Sequence, residues 1–286
     1  MSFTSWMMKT LMKMGDDKRD EGLTTPDDVQ RFDDIYYGPN KKWQKLDVYR
    51  PKDREGEKLP VLVSIHGGGW VYGDKERYQY YCMHMAEKGF AVVNFTYRLA
   101  PDFKWPASFE DTNLVFTFVM DNAEKYGFDL GNIFAVGDSA GGHMITLYAG
   151  FLTNPDYAAK YEFKAPEGLK LNAIISNCGA YIVKGEKTMR DLLKNYKDDA
   201  ENDLVSPLLY ITENYPPTLL VTAPKDFLKD QQPKMKEELE KHGVETELQY
   251  YDQDPNLAHV FMYNMKSDIA EQCNEAAAEW LRKHIK

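Results

Sequence analysis

Short apolar runs bounded by Gly, Pro and Asp recur along the chain and alternate with stretches whose apolar residues return every three or four positions. Leu46-Asp47-Val48-Tyr49-Arg50 alternates, which predicts an edge strand with one wet face. Residues 60–65 and 90–96 are continuous apolar runs, the pattern of central strands covered on both faces. Residues 132–136, 171–176, 218–222 and 245–251 predict four more strands. Between them, helical spacing covers 78–88, 109–126 (stopped by Gly127), 140–153 and 231–242 (stopped by Gly243). A last helix over 267–283 opens on Ser267 as N-cap. Strand and helix alternate, so the chain reads as one α/β domain over 1–286, with a mostly parallel sheet and helices on both faces. Two segments break the rhythm. Residues 179–217 are too long for a simple connection, and Phe3, Met7, Leu11 and Met14 mark an amphipathic helix. Cap elements are expected at 1–30 and 179–217, over the carboxyl ends of the strands, where ligands bind in such sheets.

Gly137-Asp138-Ser139-Ala140-Gly141 lies where a predicted strand runs into a predicted helix. That context makes G-x-S-x-G a candidate nucleophile elbow, with glycines where side chains would collide. A serine hydroxyl needs a base, a group to orient the base, and donors for the oxyanion. His66-Gly67-Gly68-Gly69-Trp70 follows the strand ending at Ile65 and offers backbone N–H groups free of Cβ obstruction. Gly68, Gly69 and Ala140 are assigned as oxyanion donors and Gly67 as the turn-former. The loop lacks the G-K-[ST] of a phosphate-binding P-loop. His259, between the last strand and the last helix, is the candidate base. His66 is read as holding the glycine loop, His143 as pointing away from the elbow tip, and His84, His242 and His284 as solvated. Asp226 lies just beyond the strand 218–222 and is the candidate acid, with Asp230 in reserve. Ser139, Asp226, His259 is the chain order of a hydrolase on this kind of sheet.

Composition narrows the setting. A net charge of −10 without a basic cluster argues against nucleic-acid and anionic-membrane partners. Cys82, Cys178 and Cys273 are widely spaced, which predicts reduced, buried thiols and no metal site. Lys9 and Lys13 interrupt the N-terminal apolar residues, so no secretory leader is read there and a cytoplasmic location is expected.

The combination of His66-Gly67-Gly68-Gly69-Trp70, Tyr97-Arg98-Leu99-Ala100-Pro101, Trp105-Pro106-Ala107 and Gly137-Asp138-Ser139-Ala140-Gly141-Gly142 resembles the α/β-hydrolase superfamily, and within it the hormone-sensitive-lipase-like esterases. The resemblance covers roughly residues 45 to 285. It implies the α/β-hydrolase fold, a carboxylic-ester hydrolase with a Ser-His-Asp triad, no cofactor, and a homodimer. The chain departs from it with Ala223-Pro224 before the acid and with His259-Val260-Phe261 where H-G-F is usual. A polar chain without a long apolar run favours soluble acetyl to butyryl esters over triglyceride. Acetylated sugars, an amidase or peptidase with the same triad, and a non-catalytic binding protein are the alternatives.

Overall fold

The computed structural model describes residues 3–183 and 186–286; Lys184 and Gly185, inside the expected cap, lie outside the described residues, as do Met1 and Ser2. Eight strands form one sheet: β1 (Val29–Tyr36), β2 (Lys45–Pro51), β3 (Leu59–Ile65), β4 (Ala91–Thr96), β5 (Phe128–Asp138), β6 (Ala173–Asn177), β7 (Thr218–Thr222) and β8 (Thr246–Tyr250). Their order is β1-β2-β4-β3-β5-β6-β7-β8, parallel from β4 to β8 and antiparallel at the β1-β2-β4 end. The helices among the described residues are α1 (Phe3–Asp20), α2 (Gln79–Glu87), α3 (Ala107–Asp121), α4 (Ala123–Tyr126), α5 (Ala140–Thr153), α6 (Pro155–Ala158), α7 (Glu186–Leu192), α8 (Asp199–Leu204), α9 (Gln232–Lys241) and α10 (Asp268–Lys283). No helix among the described residues is long and apolar enough to cross a membrane.

Successive strand residues point to opposite faces, so each central strand feeds two cores. Val61, Val63 and Ile65 join Ile133 and Ala135 beneath α3, α5 and α9. Leu62, Phe134 and Val136 face the other way, against α2 and α10. Continuous apolar runs satisfy both layers at once, which is why 60–65 and 90–96 read correctly as central strands. Ser267 caps α10 through its hydroxyl, which accepts the Ala270 N–H.

The strand expected at the edge is not at the edge. β2 lies between β1 and β4, and its residues from Leu46 to Arg50 are buried. Its alternation has another cause. The Asp47 carboxylate takes the Lys75 ammonium at 2.9 Å and the Tyr49 hydroxyl at 2.8 Å. Arg50 donates to the carbonyls of Tyr126 and Glu57. Polar residues here are buried because they are paired, not because they face water. The helix expected over 109–126 breaks at Asn122, and α4 then ends on Gly127 with φ 61°. The N-terminal cap element is shorter than 1–30, since Val29 already begins β1.

Candidate active site

β5 ends inside the molecule and reverses into α5 through Ser139, which sits at φ 50° and ψ −111°. That left-handed backbone is costly for a residue with a Cβ, so the surroundings must hold it. The Ser139 N–H donates to the Asn177 carbonyl at 2.9 Å, and its own carbonyl accepts from His143 at 3.0 Å and Ala180 at 3.2 Å. The flanking glycines are required for separate reasons. A Cβ on Gly137 would strike the Gly141 carbonyl, and one on Gly141 would strike the Ile65 carbonyl of β3.

The glycine loop after β3 is tied to the elbow by the residue between its first glycine and serine. The Gly67 N–H donates to Asp138 Oδ1 at 2.9 Å and to the Tyr78 hydroxyl at 3.0 Å, while Tyr78 donates to Asp138 Oδ2 at 3.0 Å. Gly67 therefore has its N–H engaged. Gly68 and Gly69 take φ of 100° and 60°, and no described group accepts the N–H of Gly68, Gly69 or Ala140. Burial pushes the Asp138 carboxyl up to about 6, against the pull of Tyr78, His259 and the Gly67 N–H. His66 holds the loop as its sequence position suggests. Its Nδ1–H donates to the Gly67 carbonyl at 2.8 Å, and its ring stacks on Tyr97 with centroids 4.0 Å apart. Burial pushes the His66 imidazole down to about 4, so it works as a neutral donor.

His143 does not simply point away from the elbow. It is buried beneath Trp70 of the glycine loop, whose indole N–H donates to His143 Nδ1 at 3.2 Å. The opposite nitrogen, Nε2, donates to the Val205 carbonyl at 2.8 Å. Burial pushes this imidazole down to about 4 as well, which keeps Nδ1 free to accept. Trp70 and Val205 are distant in sequence, so no local signal announces the contact.

Asp226 and His259 meet. Asp226 Oδ1 accepts from His259 Nδ1 at 2.6 Å and from the Leu228 N–H at 2.8 Å, and Oδ2 accepts from Thr222 Oγ1 at 2.6 Å. Burial would raise this carboxyl, but the bonds from His259, Thr222 and Leu228 outweigh it and hold Asp226 below the ordinary carboxylate range. The two carrying loops are stitched by a parallel bridge between Lys225 and Ala258, with the Lys225 N–H on the Leu257 carbonyl at 2.9 Å. Asp230, the reserve candidate, is exposed on a 3-10 turn. The Cys178 thiol borders the pair and accepts the Val260 N–H at 3.4 Å; burial keeps it protonated. All three cysteines are buried and unpaired. His84, His242 and His284, expected to be solvated, are half-buried beside Glu271, Glu238 and Glu245.

Ser139 opens into a cleft of about 280 Å³. Gly69 and Trp70 form one side, and Met12, Ile182 and Val183 bring side chains from α1 and from the segment after β6. Phe227, next to the acid, stands at its mouth. Sequence reasoning missed Asp138, Tyr78, His143 and Phe227. Only Asp138 carried a usable signal: an acid ending a strand whose residues 132–137 are all buried must find donors.

A chain built this way has many counterparts. The BD-FAE family model matches residues 46–239, from β2 into α9. Esterase LipC of Mycobacterium tuberculosis is 30% identical over 207 residues, 67% of this chain and 50% of that protein. Versiconal hemiacetal acetate esterase of Dothistroma septosporum is 30% identical over 236 residues, 76% of this chain and 70% of that enzyme. This chain thus spans about half the length of LipC. Among solved structures, tributyrin-phosphonate-inhibited esterase B from Lactobacillus rhamnosis superposes with a TM-score of 0.90, at 22% identity over 98% of this chain and 94% of that one, which shows the α/β-hydrolase fold. The matched family segment contains the glycine loop, the elbow and Asp226 on that fold, and the chain belongs to the BD-FAE family of α/β-hydrolase esterases.

Proposed function

We propose that this protein hydrolyses carboxylic esters of short acyl chains, acetyl to butyryl, through an acyl-enzyme on Ser139. The observation that carries the reading is the 2.6 Å contact between His259 Nδ1 and Asp226, with the elbow serine opening into a cleft that is also lined by Phe227, the ring packed on His259. Ser139 Oγ attacks the ester carbonyl. His259 takes the hydroxyl proton on Nε2 and returns it to the departing alcohol, while Asp226 fixes the tautomer and balances the charge. The N–H groups of Gly68, Gly69 and Ala140 receive the oxyanion, and their lack of a described acceptor supports that role. Water then repeats the sequence on the acyl-enzyme, and no cofactor or metal enters it. A cleft of about 280 Å³ fits a small ester better than a long acyl chain. Kinship with an acetate esterase points the same way.

The test is hydrolysis of p-nitrophenyl acetate, butyrate, octanoate and palmitate by wild type and Ser139→Ala. A preference for the two short esters, lost with Ser139, is the expected result. Equal activity in the two proteins overturns the nucleophile. Full rates on palmitate overturn the chain-length limit.

A further inference from the structure

Phe227 is 74% exposed, the most exposed large apolar side chain among the described residues. Folding alone gives no reason for it, because an aromatic ring in water forgoes the stabilisation of burial. Its position is nevertheless defined. Asp226, immediately before it, is held through its N–H on the Ala223 carbonyl at 3.1 Å and through its carboxylate on the Leu228 N–H at 2.8 Å. From that turn the Phe227 ring folds back onto the imidazole of His259, with centroids 4.2 Å apart and planes inclined at 42°. The same ring lines the cleft that Ser139 opens into.

The face of an aromatic ring carries negative potential and attracts a cation within about 6 Å of its centroid. During turnover His259 is such a cation while it holds the serine proton. In that interval the bond from Ser139 Oγ to the carbonyl carbon has formed, the carbonyl electrons have moved onto oxygen, and the proton rests on Nε2 until the alcohol leaves with it. Asp226 balances the charge from the Nδ1 edge. Among the described residues, Phe227 is the one aromatic ring packed against His259.

We propose that Phe227 is a positioning residue whose ring face stabilises the protonated imidazole of His259 during proton transfer. The inference rests on Ser139, His259 and Asp226 acting as described above. The other titratable groups facing His259 are Asp226, Cys178 and, through the elbow, Asp138. A change at Phe227 leaves all three in place.

The experiment is kcat and KM for p-nitrophenyl acetate from pH 5 to 9 in wild type, Phe227→Leu and Phe227→Tyr, with an NMR titration of His259 in each. The ring favours the charged imidazole, so its loss lets the proton leave at lower pH. Leucine is expected to move the acid limb and the NMR titration down by about 0.3–0.7 pH unit and to lower plateau kcat roughly two- to fivefold, with KM nearly unchanged. Tyrosine restores both. A leucine variant that changes only KM, with limb and titration unmoved, reduces Phe227 to a cleft wall and overturns the proposal. So does a tyrosine variant that behaves like leucine. Ser139→Ala is run alongside: if it keeps wild-type activity, the underlying mechanism fails, and the NMR titration still decides the ring contact on its own.

Discussion

The two sides of the cleft are held by different means. On the elbow side, Ser139, the glycine loop and Asp226 stand at strand ends and are fastened by backbone: Ser139 N–H on Asn177, Gly67 N–H on Asp138, Leu228 N–H on Asp226. On the cap side, where Met12, Ile182 and Val183 line the cleft, the bonds that hold the segment after β6 and its neighbours run to side chains. Gln231 Oε1 takes the N–H groups of Tyr181 and Ile182, each at 2.7 Å, and His143 reaches the Val205 carbonyl. Where reacting atoms must sit within a fraction of an ångström, the main chain fixes them. Where only shape matters, side chains suffice, and they are free to change without disturbing the chemistry.

Substitutions on the two sides should therefore differ in kind as well as size. Ser139→Ala removes the nucleophile and should lower kcat on p-nitrophenyl butyrate by about 10⁶, with an unchanged circular dichroism spectrum. Asp226→Asn keeps the shape but favours the wrong imidazole tautomer; a loss near 10⁴ is expected, and a loss under tenfold would mean that another acid serves His259. Asp138→Ala leaves the Gly67 N–H with the Tyr78 hydroxyl alone and loosens the glycine loop. It should cost about 10² in kcat, similar to losing one oxyanion donor, and leave the order of preference among esters intact.

Asp138→Asn probes the same joint through stability. The folded carboxyl titrates at about 6 and the unfolded one near 3.8, so the native state binds more protons between those values. Stability contributed by this group therefore falls as pH rises through that window. The asparagine variant lacks the penalty. Urea unfolding at pH 4.5 and 6 should show its stability relative to wild type growing by roughly 1 kcal/mol per pH unit; a constant difference would mean that Asp138 is charged throughout. Smallest is the cap-side change. Met12→Ala lengthens the cleft and should raise the octanoate-to-acetate ratio of kcat/KM by about fourfold per methylene accommodated, with acetate turnover hardly altered.

The same division governs what could be read in advance. The elbow and glycine loop declare themselves because close backbone approach demands glycine at fixed spacing, as the Gly141–Ile65 and Gly67–Asp138 approaches show. Asp226 could be ranked above Asp230 only by its nearness to the strand end; the 2.6 Å bond to His259 and the exposure of Asp230 are tertiary facts. β1 escaped notice because its register on β2 shifts between Phe32 and Ile35, where Asp34 turns to φ 56°. That bulge destroys the period-two pattern by which strands are found. The burial of β2 was equally hidden, since ion-paired and water-facing polar residues look alike in a sequence. Met12 and His143 depend on partners from distant segments, and no local pattern encodes them.

The stitch between Lys225 and Ala258 bears on when the protein becomes active during its own formation. A nascent chain presents its serine, glycine loop and acid well before its imidazole. That imidazole reaches the acid only after β8 has docked alongside β7, at the far margin of the sheet from β1. Parallel pairing between distant segments is slow, because chain entropy is lost before contacts compensate. Ester turnover during refolding therefore reports the pairing of β8 with β7 and the arrival of His259 beside Asp226.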